Sequence, residues 1–165
     1  MALHHLRNTE MRLLKSPEIG EAYKEVLQTY KEKGYIHKVP PKETRPDQVW
    51  YLPHFPVLRP DKSATKTCIV FDASAKFNDV STLNDITLQG PKLRNDLFAV
   101  LLRFRPDSVP LMCDIREMYL PIKLRRKDQP YHRFLWRDLQ TDQEPDIYEI
   151  DRVIFGVNSF PFPSD

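Results

Sequence analysis

The chain has 165 residues, of which 41% are hydrophobic and 29% charged, and a formal net charge of +2. A chain of this size supports one modest core, burying roughly two-thirds of its extended surface, and leaves no room for a complete multidomain enzyme; its apolar content and intermixed charges exclude a wholly disordered tail. So small a net charge is no overall signature of nucleic-acid binding, and any such argument has to rest on local clusters.

Ser16-Pro17-Glu18 opens a helix: a hydroxyl to cap it, a proline whose missing N–H costs nothing in the first turn, and an acid at the positive end of the dipole. Ile19, Ala22, Tyr23, Val26, Leu27 and Tyr30 follow at helical spacing, and Gly34 is placed to close the last turn in the left-handed region. The spacing predicts a helix over 17–33. From Tyr35 to Phe71 the pattern changes to short extended pieces, 35–39, 49–52 and 67–71, separated by Pro40-Pro41, Pro53 and Pro60, an arrangement suited to edge strands and turns.

A second helix is predicted after Gly90-Pro91, with Leu93, Leu97, Val100, Leu101 and Phe104 on one face and Pro106 beyond its end. Strands are expected near 109–115, 120–124, 131–137 and 147–155. Helices and strands interleave without a regular βα alternation, so the expected class is α+β with a mainly antiparallel sheet and flanking helices. Fifteen prolines against four glycines, spread through the chain, read as punctuation between short elements.

The start of the chain lacks the apolar core of a secretion signal, and the longest apolar stretch, Leu97 to Leu102, is far short of the ~20 residues of a membrane span. Cys68 and Cys113 each sit in an apolar run, with no disulfide framework or zinc spacing. An intracellular, cytoplasmic, reducing setting without membrane is the expectation. His4, His5, His37, His54 and His132 show no metal-ligand spacing and read as surface or internally satisfied groups.

Val109 to Ile115 is an apolar strand that ends on Asp114, with Tyr119 five positions beyond that carboxylate. Alone, a strand-end aspartate reads as a turn cap. Its surroundings change that reading: Tyr51-Leu52-Pro53-His54-Phe55-Pro56-Val57-Leu58-Arg59-Pro60-Asp61-Lys62, then Val70-Phe71-Asp72-Ala73-Ser74-Ala75-Lys76, Leu83-Asn84-Asp85, Asp114-Ile115-Arg116-Glu117-Met118-Tyr119, Phe134-Leu135-Trp136-Arg137, and Phe155-Gly156 with Ser159 and Pro161-Phe162. In this order they closely resemble the reverse transcriptase of Bel/Pao-type LTR retrotransposon polyproteins, over nearly the whole chain. A serine-hydrolase reading of Ser159 fails, because Gly156-Val157-Asn158-Ser159-Phe160 is no nucleophile elbow.

The resemblance implies part of a right-hand polymerase: a helical lead-in over 1–34, fingers over 35–105, and a partial palm over 106–165. It implies that Asp114 is the catalytic carboxylate and, with the Ile115 carbonyl, a ligand for Mg²⁺, a hard cation that clamps attacking and leaving oxygens in a two-metal nucleotidyl transfer. It places Tyr119, Phe155, Gly156, Lys66 and Asp72 around an incoming dNTP, with Tyr119 as the aromatic that excludes a 2′-hydroxyl. Ser159 and Pro161 are implied on the side of an RNA or DNA template–primer. Basic clusters at Arg59/Lys62/Lys66, Arg103/Arg105, Arg125/Arg126/Lys127 and Arg133/Arg137 are candidate phosphate contacts, Arg125 and Arg126 foremost.

The chain also departs from the family. Cys68 stands where the family usually carries an arginine that grips the triphosphate, and a thiol cannot replace a forked, permanent charge. Leu120-Pro121 stands where Arg-Gln is usual. The sequence stops at Pro163-Ser164-Asp165, before the hairpin that bears the family's paired aspartates, so the expectation is a chain inactive in synthesis as written, needing the rest of a polyprotein or another chain to complete its palm. The rival expectation is a nucleic-acid-binding module without catalysis.

Overall fold

A computed structural model describes residues 2–40, 49–58, 67–76, 81–88, 95–104, 109, 117–154 and 156–157. The chain begins with two consecutive helices, α1 (Ala2–Lys15) and α2 (Pro17–Glu32). Leu6, Thr9, Glu10 and Leu13 form the buried stripe of α1, and Gly20, Tyr23 and Leu27 that of α2. Both stripes follow the three- and four-residue spacing of a helix face turned to a core.

The predicted second helix of this pair is found within one residue of its expected end, but Ser16 does not cap it through its side chain. Its backbone carbonyl instead accepts Ile19 N and Gly20 N, both at 3.0 Å, and its own N–H donates to Leu13 O at 3.2 Å. One residue thus ends α1 and starts α2. At the other end Gly34 takes φ +64°, Gly34 N donates to Lys31 O at 3.0 Å, and Tyr35 N donates to Tyr30 O at 2.8 Å. This is the paired-bond C-terminus in which a left-handed residue satisfies the last carbonyls, with the Tyr30 and Tyr35 rings, 5.9 Å apart, as its apolar contact. A Cβ at Gly34 would meet nothing within 4 Å, so Gly34→Ala carries only the conformational cost. We expect a loss of ~1 kcal/mol, with Gly34→Asn losing less, as read from urea unfolding midpoints.

The strands form two antiparallel sheets. In the first, β1 (Ile36–Lys38), β5 (Asp146–Ile150) and β4 (Arg133–Trp136) lie in the order β1-β5-β4, with Ile36 opposite Ile150 and Phe134 opposite Tyr148. The second is a hairpin of β2 (His54–Leu58) and β3 (Thr67–Phe71), with His54 opposite Phe71. Residues 50–52 tie the sheets together: Arg133 N donates to Trp50 O at 3.1 Å and Leu52 N to Arg133 O at 2.7 Å, before the chain turns into β2.

The core lies between the helices and the sheets, with Tyr23, Leu27, Phe71, Phe134, Trp136 and Ile150 among its buried members. At its centre stands a histidine. His54 is 4% exposed; the Tyr23 hydroxyl donates to Nδ1, and Nε2–H donates to the Leu135 carbonyl at 2.8 Å. A carbonyl only accepts, so this network assigns the proton to Nε2. Thr9 Oγ1 donates to His54 O at 2.9 Å, so α1, α2, β2 and β4 all meet on one residue.

Several sequence expectations are corrected. Residues 120–124 form turns instead of a strand, closed by Leu120 N to Glu117 O at 3.1 Å and Ile122 N to Tyr119 O at 2.9 Å; Glu117 takes φ 52°, and Pro121 has no N–H to offer a ladder. The piece at 49–52 makes a single bridge, Tyr51 with Arg133, while β2, which was not expected, carries a proline at Pro56 within an edge hairpin. The strand expected over 147–155 ends at Ile150, leaving an isolated bridge between Lys123 and Arg152. Two short helices, α3 (Leu83–Ile86) and α4 (Leu97–Phe104), and a 3-10 turn over Gln129–His132 complete the order. Of these, α4 supplies the helix predicted before Pro106, and none of its residues is buried. The strand expected near 109–115 lies, apart from residue 109, outside the described residues.

Candidate nucleotide site

Directly after β3 the backbone makes a turn held by Asp72, whose Oδ1 accepts Ser74 N at 2.9 Å while its own N–H donates to Pro53 O at 2.8 Å. Asparagine and aspartate favour such turns because their short side chains imitate a backbone acceptor. Ten residues on, α3 starts with a reciprocal cap: Thr82 Oγ1 accepts Asp85 N at 3.1 Å and Asp85 Oδ2 accepts Thr82 N at 2.8 Å. The Thr82 backbone N–H, and after it the Thr82 side chain, hold the Asp85 carboxyl below the usual carboxylate range.

Asn84, inside that turn, joins three separate segments. Its backbone N–H donates to Ala73 O at 3.2 Å, and its side-chain amide donates to Ser74 Oγ at 3.0 Å and to Gly156 O at 2.9 Å. Gly156 takes φ +96°, and a Cβ there would lie 3.1 Å from Phe71 O. Only glycine adopts that backbone readily at so close an approach. Beneath the junction, Phe71, Ala73, Leu83 and Val157 all belong to the buried core cluster. An apolar floor thus fixes the three segments while Asp72, Ser74 and Asn84 form the polar rim, with exposed Lys76 beside it.

Of the residues expected around a nucleotide, Asp72 and Gly156 are therefore brought to one place. Tyr119 sits in the turn that follows Glu117, is 9% exposed, and burial raises its hydroxyl pKa. That turn is pinned by Glu117, which accepts Lys33 Nζ at 2.9 Å and the Tyr35 hydroxyl at 3.2 Å. The same segment runs on to Arg125 and Arg126, both exposed, and is held against the end of β5 by Leu124 N to Asp151 O and Val153 N to Ile122 O, each 2.9 Å. Lys66, Asp114, Ile115, Phe155, Ser159 and Pro161 lie outside the described residues.

One basic cluster is corrected. The Arg133 side chain is 3% exposed and its Nε donates to Glu149 at 2.7 Å, its cross-strand partner; the Arg137 side chain, 8% exposed, grips Glu10. Neither is available to a phosphate. The histidines fit their sequence reading as surface or satisfied groups with one qualification in kind: His37 pairs with Asp151 at 2.9 Å and His54 is fully bonded, whereas His132 Nε2 is buried without a partner among the described residues.

No described group of three or more His, Cys, Asp or Glu side chains is arranged to hold a metal ion. Asp72 and Asp85 each accept a backbone N–H through one carboxylate oxygen. No described helix is long and apolar enough to cross a membrane. Asn84 was legible only as part of a matching triplet; a capping threonine three residues before Asp85 was the local signal that this triplet starts a helix. No family model matches the chain, and no curated protein matches it.

Proposed function

We propose that this chain is the fingers and first palm portion of an RNA-directed DNA polymerase of the Bel/Pao retrotransposon type, holding the incoming dNTP and a template–primer. The observation that carries this reading is the junction: the Phe71–Lys76 and Gly156 segments, whose Asp72 and Gly156 the resemblance assigns to the nucleotide site, and the Leu83–Asp85 segment, which the resemblance matches without assigning a role, converge on Asn84 although Asn84 and Gly156 are 72 positions apart. Mg²⁺ belongs, in this reading, to Asp114 and the Ile115 carbonyl and not to the junction.

Arg125 and Arg126 are the cations that this reading commits to the template–primer backbone. Both are exposed on a turn and make no ion pair among the described residues. An RNA–DNA primer duplex is expected to bind with an affinity that falls as salt rises, and the variant R125E/R126E to bind more weakly with a log–log salt slope shallower by about two. Fluorescence anisotropy across a salt series measures both. An affinity indifferent to salt, or a double variant indistinguishable from the parent, would count against the reading. Primer extension with Mg²⁺ and dNTPs tests the expected inactivity in synthesis: incorporation abolished by Asp114→Ala overturns that expectation, excludes a pure binding module and assigns catalysis to this chain.

A further inference from the structure

We infer that Asn84 is a positioning residue that sets the spacing between the two loops of the nucleotide site, an inference that rests on the reading just given. One amide nitrogen reaches both the Ser74 hydroxyl, on the loop after β3, and the Gly156 carbonyl, on the turn after β5. The two loops leave different sheets, and the hairpin and the three-stranded sheet share no ladder. Asn84 bridges them from a third element, α3, whose own reciprocal cap fixes where the side chain begins.

Two donors on one planar amide make this geometry specific. An aspartate at 84 keeps the shape but faces the Gly156 carbonyl with an oxygen, turning an attraction into a repulsion. An alanine removes both bonds and leaves the backbone bond to Ala73 O in place. Asn84 is only half-buried, and the floor of Phe71, Ala73, Leu83 and Val157 does not include it, so its truncation loosens the rim without opening the core. Ser74→Ala removes the hydroxyl acceptor and leaves the tie to Gly156 intact, which makes it the partial variant that isolates one of the two bonds.

The test separates a nucleotide effect from a duplex effect in the full chain. Binding of an RNA–DNA primer duplex is measured in Mg²⁺ with and without the dNTP complementary to the next template base. For the parent chain the dNTP is expected to strengthen duplex binding about tenfold, inside the range usual for coupled ligands. For Asn84→Ala and Asn84→Asp the dNTP gain is expected to fall to about twofold or less, while duplex affinity without dNTP and the circular dichroism spectrum stay those of the parent. Ser74→Ala, which loses only the first of the two ties, is expected to show a gain between those of the parent and Asn84→Ala. Hydrogen exchange provides the structural readout, with faster amide exchange at 73–74 and 156–157 in Asn84→Ala and parental protection in β4 and β5.

A gain in Asn84→Ala equal to that of the parent overturns the role of Asn84 while leaving the nucleotide reading standing. Absence of any dNTP gain in the parent chain overturns the nucleotide reading, and the role of Asn84 with it. A variant that lost dNTP gain and duplex affinity together would mark Asn84 as a general structural residue and equally overturn the inference.

Discussion

Replacing Arg137 by alanine is expected to lower stability by about 3–5 kcal/mol, a large share of the ~5–15 kcal/mol that holds an ordinary domain folded. The side chain forms a forked pair with Glu10, Nε to Oε1 at 2.8 Å and Nη2 to Oε2 at 2.6 Å, and its remaining nitrogen donates to Gln143 O at 2.7 Å. Glu10 is 1% exposed at its side chain. Removing the guanidinium strands that carboxylate away from water, and the desolvation that the pair had offset becomes uncompensated. Lysine does not rescue, because a point charge cannot make two parallel bonds. The double variant Glu10→Leu/Arg137→Met is expected to recover most of the loss, since an apolar pair leaves no charge behind. Urea unfolding of the parent, Arg137→Ala, Arg137→Lys and the double variant measures these differences; an Arg137→Ala within about 1 kcal/mol of the parent would mean that the pair is not buried in solution.

Acidification is expected to unfold the protein through His54. Burial pushes its pKa down to about 4, with the hydrogen bond to the Leu135 carbonyl and the nearby Glu10 charge acting weakly the other way. In the unfolded chain the imidazole takes a proton near pH 6.5. The unfolded state therefore binds more protons between these values, so stability is fully present above about pH 6.5 and falls as pH drops toward 4. The loss across this window is about 3 kcal/mol. His132, whose pKa is also lowered by burial, adds a contribution of the same sign. Besides the Glu10 carboxylate, the groups facing His54 are Tyr23, Thr9, the Leu135 carbonyl and the rings of Phe71, Phe134 and Trp136. Unfolding free energy measured at intervals from pH 7 to 4.5, in the parent and in His54→Leu, provides the check. The variant is less stable throughout but its curve should be flatter by nearly one proton. Parallel curves would remove His54 as the cause.

Local rules recovered the local parts of this fold. The helix at Pro17–Glu32 and the strand at Thr67–Phe71 stand where periodicity put them, because one follows a proline start and a glycine stop and the other alternates buried and half-buried positions. The misses share a physical cause. Pro121 and a left-handed Glu117 break what the apolar letters of 120–124 suggested, and Pro56 hid an edge strand that tolerates it. Arg133 and Arg137 read as a phosphate-binding cluster because their carboxylate partners, Glu149 and Glu10, are distant in sequence. The site divides in the same way: Asp72 and Gly156 were each nominated by motif, but their common tether is an asparagine side chain whose bonds span segments that no spacing rule connects.

The Arg137–Glu10 contact has a consequence for how the chain acquires its shape during translation. The partners are 127 positions apart, and His37 meets Asp151 across 114. The first helix leaves the ribosome long before the residues that neutralise its buried acid exist. Long-range closure of this kind slows folding, because chain entropy is lost before the contacts reward it. Glu10 stays without its guanidinium partner until Arg137 has emerged, and that interval is when a chaperone that shields an incompletely packed helix has most to offer this protein.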